Sequence, residues 1–197
     1  MSDDDVRVTA LCGSLRDGSH TRTALERALA AAEGAGASTE LLDLRGYELP
    51  VFDADRDRED AGDAATLAAR VRDADTVLLG SPMYHGSYSS PLKTALDYCG
   101  FDEFEDTTVG LLAVSGGAFP VTALEHMRSV CRALNAWEIP HEAAIPNAGD
   151  AFDGGEFVDP KLATRVETLG RRAVQYATIE PDPDSFESDQ NVGAEGK

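Results

Sequence analysis

Lysine is nearly absent from this chain: Lys93, Lys161 and Lys197 are all it has. With arginine they make 17 bases against 36 acids, a formal net charge of −19. Such a surface repels nucleic acid and anionic membranes, so neither is expected as a partner. Cysteine is scarce too. Cys12, Cys99 and Cys131 are odd in number, widely spaced and in apolar surroundings. That excludes a disulfide framework and leads us to expect buried, reduced thiols. His20, His85, His126 and His141 are scattered, and no Cys/His spacing fits a zinc site. No run of 18 apolar residues exists, so no membrane span is expected. The opening M-S-D-D-D lacks the basic and apolar parts of a signal peptide, and a cytoplasmic location is expected.

High net charge suits either a disordered chain or a folded one bathed in salt. Periodic apolar segments argue for the second over most of the length. The acid-rich, lysine-poor balance resembles that of halophilic proteins. From Glu180 onward there are six acids, one lysine and few apolar residues, the composition of a disordered tail. That stretch carries −5, so −14 remains on residues 1–179. The expected organisation is one domain over 1–179 and an acidic tail over 180–197.

The informative stretch runs from Val6 to Leu29. Val6, Val8, Ala10 and Leu11 form an apolar run suited to a buried parallel strand, ended by Gly13. From Thr21 the spacing becomes helical, through Ala24, Leu25, Ala28 and Leu29. Between them lies G-S-L-R-D-G-S-H-T. A loop feeding a helix start presents free N–H groups and the positive end of the helix dipole, a ready anion site. Ser14, Ser19 and Thr21 can add hydroxyls, and Arg16 a charged fork. A polar turn with Ser19 or Thr21 as N-cap would look similar if it stood alone. Gly13 and Gly18 have P-loop spacing, but Ser19-His20 stand where Lys and Ser or Thr are required, which argues against nucleoside triphosphate hydrolysis. No G-x-G-x-x-G follows the strand, which argues against an ordinary dinucleotide fold.

Further strands are expected at Ser38–Leu44, Thr76–Gly80, Thr108–Val114 and Trp137–Ala144. Helices are expected at Ala64–Ala74, at Pro91–Cys99 with Pro91 near the first turn, at Val121–Leu134 and at Pro160–Thr178. Residues 145–157 read as a long loop. Strands alternating with helices make an α/β protein with a doubly wound, five-stranded parallel sheet, order 2-1-3-4-5, and helices on both faces. In that order the ligand sits beyond the carboxyl ends of strands one and three. The loops there are Gly13–Thr21, Ser81–Ser90 and, from strand four, Ser115–Pro120.

G-S-L-R-D-G-S-H-T after the first strand, S-P-M-Y-H-G-S-Y-S-S-P-L-K-T-A-L-D-Y after the third and S-G-G after the fourth resemble the NADPH-dependent FMN reductase family. These are flavodoxin-like proteins that include quinone and azo-dye reductases. The resemblance covers roughly residues 6 to 178. It implies that the FMN phosphate falls on Ser14, Arg16, Ser19 and Thr21. It places Pro82, Met83, Tyr84, His85 and Gly86 along the isoalloxazine and ribityl. It also implies backbone N–H groups of Ser115, Gly116 and Gly117 at the pyrimidine edge. Thr21 stands where Asn is common, and Met83 and His85 where Glu and Asn are. The implied activity is hydride transfer from NADPH or NADH through FMN to a flavin, quinone or azo-type small molecule. No catalytic side chain is implied, since the protein supplies position and electrostatics. Many members are homodimers or homotetramers, which is the expectation here.

Two other readings compete with this one. A flavodoxin-like electron carrier without NAD(P)H activity usually has a Thr/Ser-x-Thr-Gly-x-Thr loop without arginine, unlike G-S-L-R. A serine hydrolase would use A-V-S-G-G around Ser115 as a nucleophile elbow with His126 or His141 downstream, but Ala113 stands where Gly is required.

Overall fold

The computed structural model describes residues 6–179. The acidic tail expected at 180–197 lies outside them. Five strands, β1 (Arg7–Cys12), β2 (Ser38–Asp43), β3 (Thr76–Pro82), β4 (Thr108–Val114) and β5 (Trp137–Ile145), form one parallel sheet in the order β2-β1-β3-β4-β5. This is the order expected from the sequence. β3 and β4 are buried along their whole length, as continuous apolar strands covered on both faces must be.

The helices cover the two faces. α1 (His20–Glu33) and α7 (Pro160–Gln175) lie on one; α2 (Ala64–Arg72), α3 (Ser90–Asp97) and α5 (Val121–Ala133) lie on the other. Each face encloses its own core, one around Leu25, Leu112 and Leu169, the other around Leu67, Leu79 and Leu111. Small residues let the layers close up. A Cβ on Gly170 of α7 would stand 1.9 Å from the Ala28 carbonyl oxygen of α1. Gly170→Ala should therefore cost about 1–3 kcal/mol, as overpacking does, read as a fall in Tm at high salt.

Three features differ from the sequence reading. A one-turn helix, α4 (Phe101–Phe104), precedes β4, and Glu103 at its third position draws in Arg58 at 3.0 Å and Arg72 at 2.5 Å. The stretch expected as a loop after β5 holds a turn of helix, α6 (Ala148–Ala151), and a small hairpin, β6 (Phe152–Asp153) with β7 (Glu156–Phe157). Phe152 and Phe157 pack ring on ring, 4.5 Å between centroids, which gives that hairpin an apolar anchor. Finally, the ladder of β4 with β5 shifts register between Val109 and Leu111. Pro140 lies in the stretch of β5 that the shift skips; it has no N–H to donate, and an edge strand is where a proline is tolerated.

Candidate functional site

All three loops singled out in the sequence emerge at the same edge of the sheet, beyond the carboxyl ends of β1, β3 and β4. The first begins at Gly13, whose N–H donates to the Gly80 carbonyl at 2.8 Å and whose carbonyl accepts the Ser89 hydroxyl at 2.6 Å. A Cβ at Gly13 would stand 2.8 Å from both Leu92 Cβ and Ser89 Oγ, so only glycine allows the loop to leave the sheet so close to α3. Ser19 ends the loop as the N-cap of α1, its hydroxyl accepting the Arg22 N–H at 3.1 Å. The N–H groups of His20 and Thr21, in the first turn, have no intrahelical acceptor.

The second loop folds back as a two-residue turn. The Tyr84 N–H donates to the Ser87 carbonyl at 2.9 Å, and the Ser87 N–H returns to Tyr84 at 3.1 Å. His85 (φ 50°) and Gly86 (φ 81°) occupy the two left-handed positions. That is a type I′ arrangement, for which Gly is favoured second and His is uncommon first. The turn is docked on α5, with the Thr122 hydroxyl against Met83 Sδ at 3.3 Å and His126 Nδ1 against Ser87 Oγ at 2.9 Å.

The third loop, after β4, leans on the fifth strand's exit. The Ser115 N–H donates to Ile145 at 2.9 Å, the Ala148 N–H to Ser115 at 2.9 Å and the Asn147 N–H to Gly117 at 3.0 Å. This corrects part of the reading from sequence, because the Ser115 N–H is spent within the sheet edge. The Met83 N–H is spent likewise, on Val114 at 2.7 Å.

Together the loops enclose a cleft of about 480 Å³. Of the residues expected at a cofactor site, Ser14, Arg16, Ser19, Thr21, Pro82, Met83, Tyr84, Ser115 and Gly116 line it. His85, Gly86 and Gly117 do not; the first two form the turn behind Tyr84. Sequence reasoning missed His20, Val114, Ala148 and Gly149, which also line it. His20 stacks on Phe152, centroids 4.5 Å apart and planes within 10°. In the order 2-1-3-4-5 the exit of strand five reaches the same edge, and P-N-A-G-D was the signal for Ala148 and Gly149.

The electrostatics of the cleft are set apart from the rest of the molecule. Its lining contains no Asp or Glu, in a chain with 36 of them. Among the described residues the Arg16 side chain makes no hydrogen bond or ion pair, whereas its neighbours Arg22 and Arg45 are paired with Asp43 and Asp17. Gly116 is open as well: no heavy atom lies within 4 Å of where a Cβ would be, so a flat group can approach its backbone. One end thus suits a phosphate and the other a planar ring. A second cleft, about 580 Å³ between α3 and α5, is larger; it shares the second loop at Ser87 and Tyr88, but none of its lining comes from the first or third loop.

The rival chemistries lose their parts. The Ser115 hydroxyl donates to the Gly117 carbonyl. His126 is bound to Ser87 and His141 to the Arg165 carbonyl, so neither addresses Ser115, and the serine hydrolase reading fails. All three cysteines are free and buried, and burial pushes the Cys99 and Cys131 thiols up to about 12, out of reach as nucleophiles. Among the described residues no His, Cys, Asp and Glu cluster could hold a metal ion, and no helix is long and apolar enough to cross a membrane.

Comparison with known proteins gives the family. The chain is 38% identical over 139 residues to the FMN-dependent NADPH-azoreductase of Staphylococcus saprophyticus, covering 68% of this chain and 73% of that one. It is 34% identical over 118 residues to the protein of the same name from Staphylococcus aureus, spanning 63% of that relative's length. Among solved structures, the flavoenzyme NAD(P)H:(acceptor) oxidoreductase FerB of Paracoccus denitrificans shares the fold, with TM-score 0.73 and 21% identity over 87% of this chain and 97% of that one. An NADH:FMN oxidoreductase (EMOB) in its apo form does so with TM-score 0.68 and 19% identity over 89% and 92%. The sequence model of the NADPH-dependent FMN reductases matches residues 6–150, from the first strand through the exit of the fifth, and the chain belongs to that family.

Proposed function

We propose that this chain binds one FMN in the cleft and works as an NAD(P)H-dependent oxidoreductase, passing a hydride from NADPH or NADH to a flavin, quinone or azo-type acceptor. The observation that carries the reading is the carboxylate-free cleft with the unpaired Arg16 at one end. Family membership and the azoreductase relatives support the activity.

Bound FMN supplies a ring that takes up a hydride and gives two electrons to a second molecule. The chain's residues do the holding. Arg16, the His20 and Thr21 N–H groups and the Ser14 hydroxyl take the phosphate, and Ser19 aims the helix start as its cap. Pro82, Met83 and Tyr84 form one wall for the ring, and Val114, Ala148 and Gly149 line the cleft beside it. Gly116 offers its backbone N–H group to the ring's polar edge, where donors favour a developing negative charge. No side chain is assigned as acid or base. His85 serves the turn that positions Tyr84.

The finer reading includes a cytoplasmic enzyme of a salt-rich cell, working as a homodimer or homotetramer. The acid excess supports the first part. The open cleft between α3 and α5, with half-buried Tyr88, Val130 and Leu134, supports the second.

The test is direct. The full chain purified in high salt should be yellow, and NADPH or NADH added without oxygen should bleach the flavin in one two-electron step. Failure with both nucleotides would favour the electron carrier.

A further inference from the structure

The loop that begins the cleft is tied down at both ends but hardly at all between. Gly13 is fixed to the sheet and α3, and the Ser19 carbonyl accepts the Thr23 N–H at 3.0 Å. Inside the loop the Arg16 N–H reaches Ser14 Oγ only at 3.4 Å. The firm attachment of the middle comes from behind. Arg22, on the first turn of α1, donates through Nη2 to the Asp17 carbonyl at 2.7 Å, and its Nη1 meets Asp43 Oδ2 at 3.2 Å. Asp43 ends β2, and its Oδ1 accepts the Arg45 N–H at 3.1 Å, capping the turn Leu44–Gly46. The Arg45 guanidinium closes the ring by pairing with the Asp17 carboxylate.

We infer that this ring of Asp17, Arg22, Asp43 and Arg45 shapes the loop for a phosphate, and that Arg22 and Asp43 are positioning residues for the cofactor phosphate. The inference rests on the FMN reading above. Two features separate geometry from mere charge. Asp43 sits beside Arg22 and cancels its charge, so Arg22 adds little field at the cleft. The Arg22–Asp43 pair is the shielded arm, its side chains 30% and 27% exposed, and it holds the fork from which Arg22 reaches the exposed Asp17 carbonyl. The Asp17 side chain is 94% exposed and its ion pair with Arg45 is weak. What Arg22 contributes is a planar fork that holds Asp43 and the Asp17 carbonyl together. Lysine, a single point charge, cannot reproduce it.

The test compares FMN with riboflavin, which lacks the phosphate. The full chain and its Arg22→Lys and Asp43→Asn variants would be stripped of flavin, and dissociation constants for both ligands measured by fluorescence quenching in high salt, with a thermal melt for each. Both variants should lose about tenfold in FMN affinity, the scale of one hydrogen bond to a charged group, and keep their riboflavin affinity. An unchanged preference for FMN over riboflavin in either folded variant overturns the inference. So does a parallel loss of both ligands with a lowered Tm, which marks a purely structural role. Tighter FMN binding in Asp43→Asn also overturns it, since that would mean Arg22 acts by charge. If the unsubstituted chain binds neither ligand, the FMN reading itself fails, a result distinct from all of these.

Discussion

Arg16→Ala is expected to weaken FMN binding about tenfold to 150-fold, or about 1.5–3 kcal/mol, the range for a hydrogen bond to a charged group. The size follows from what surrounds the guanidinium. Other arginines on this acidic body have partners already: Arg27 has Glu167, Arg70 has Glu40, and Arg128 has Glu125, Glu138 and Glu142. A new anion would have to compete for those. Arg16 is exposed and unpaired among the described residues, so the phosphate gains its whole interaction and no existing pair is lost. For the same reason the substitution should leave Tm unchanged. Isothermal titration of apoprotein with FMN measures the loss. Riboflavin affinity should not move, and an FMN affinity equal to that of the unsubstituted chain would remove Arg16 from the phosphate site.

The order of the sheet was legible because β1, β3 and β4 are runs of β-branched and apolar residues, and the segments between strands have clear helical periodicity. T-V-L-L-G and T-V-G-L-L-A-V read as strands buried on both faces, and they are. The first and second loops were legible through residue type: hydroxyls and one arginine before a helix start, proline and glycine after an apolar strand. What was hidden was pairing. Nothing in S-G-G reveals that the Ser115 N–H is consumed by Ile145, because that bond depends on where β5 ends relative to β4. The β6–β7 hairpin escaped because two-residue strands have no period to detect, and its stability comes from the Phe152–Phe157 contact. The role of His20 escaped for the same reason, since its ring is placed by Phe152, far along the chain. The ring behind the first loop joins Arg22 to Asp43 across 21 positions, a proximity made only by the register of β1 on β2.

FMN affinity should rise with salt, opposite to the trend for a basic phosphate-binding protein. Residues 1–179 carry −14, and FMN brings a dianionic phosphate. With those charges taken at ~20 Å in water, their repulsion of a dianion is about 6 kcal/mol before screening. At 0.01 M salt the screening length is ~30 Å, which leaves about half of it, ~3 kcal/mol. At 1 M the length is ~3 Å and the repulsion at that distance disappears. Contacts made directly by Arg16 and the start of α1 are short and survive. The expected gain across this range is therefore roughly a hundredfold in affinity. Fold stability should rise as well, because the same self-repulsion acts against the compact state. Riboflavin, without the phosphate, should show little of the affinity trend, which separates repulsion of the ligand from salt-driven folding. A chain ending at Ile179 loses only −5 and should keep most of both dependences. The measurement is FMN fluorescence quenching and thermal melting over a salt series on both chains. Affinity that falls with salt would mean that the local field of Arg16 and the helix start outweighs the body. Dependences that vanish on truncation would place their source in residues 180–197.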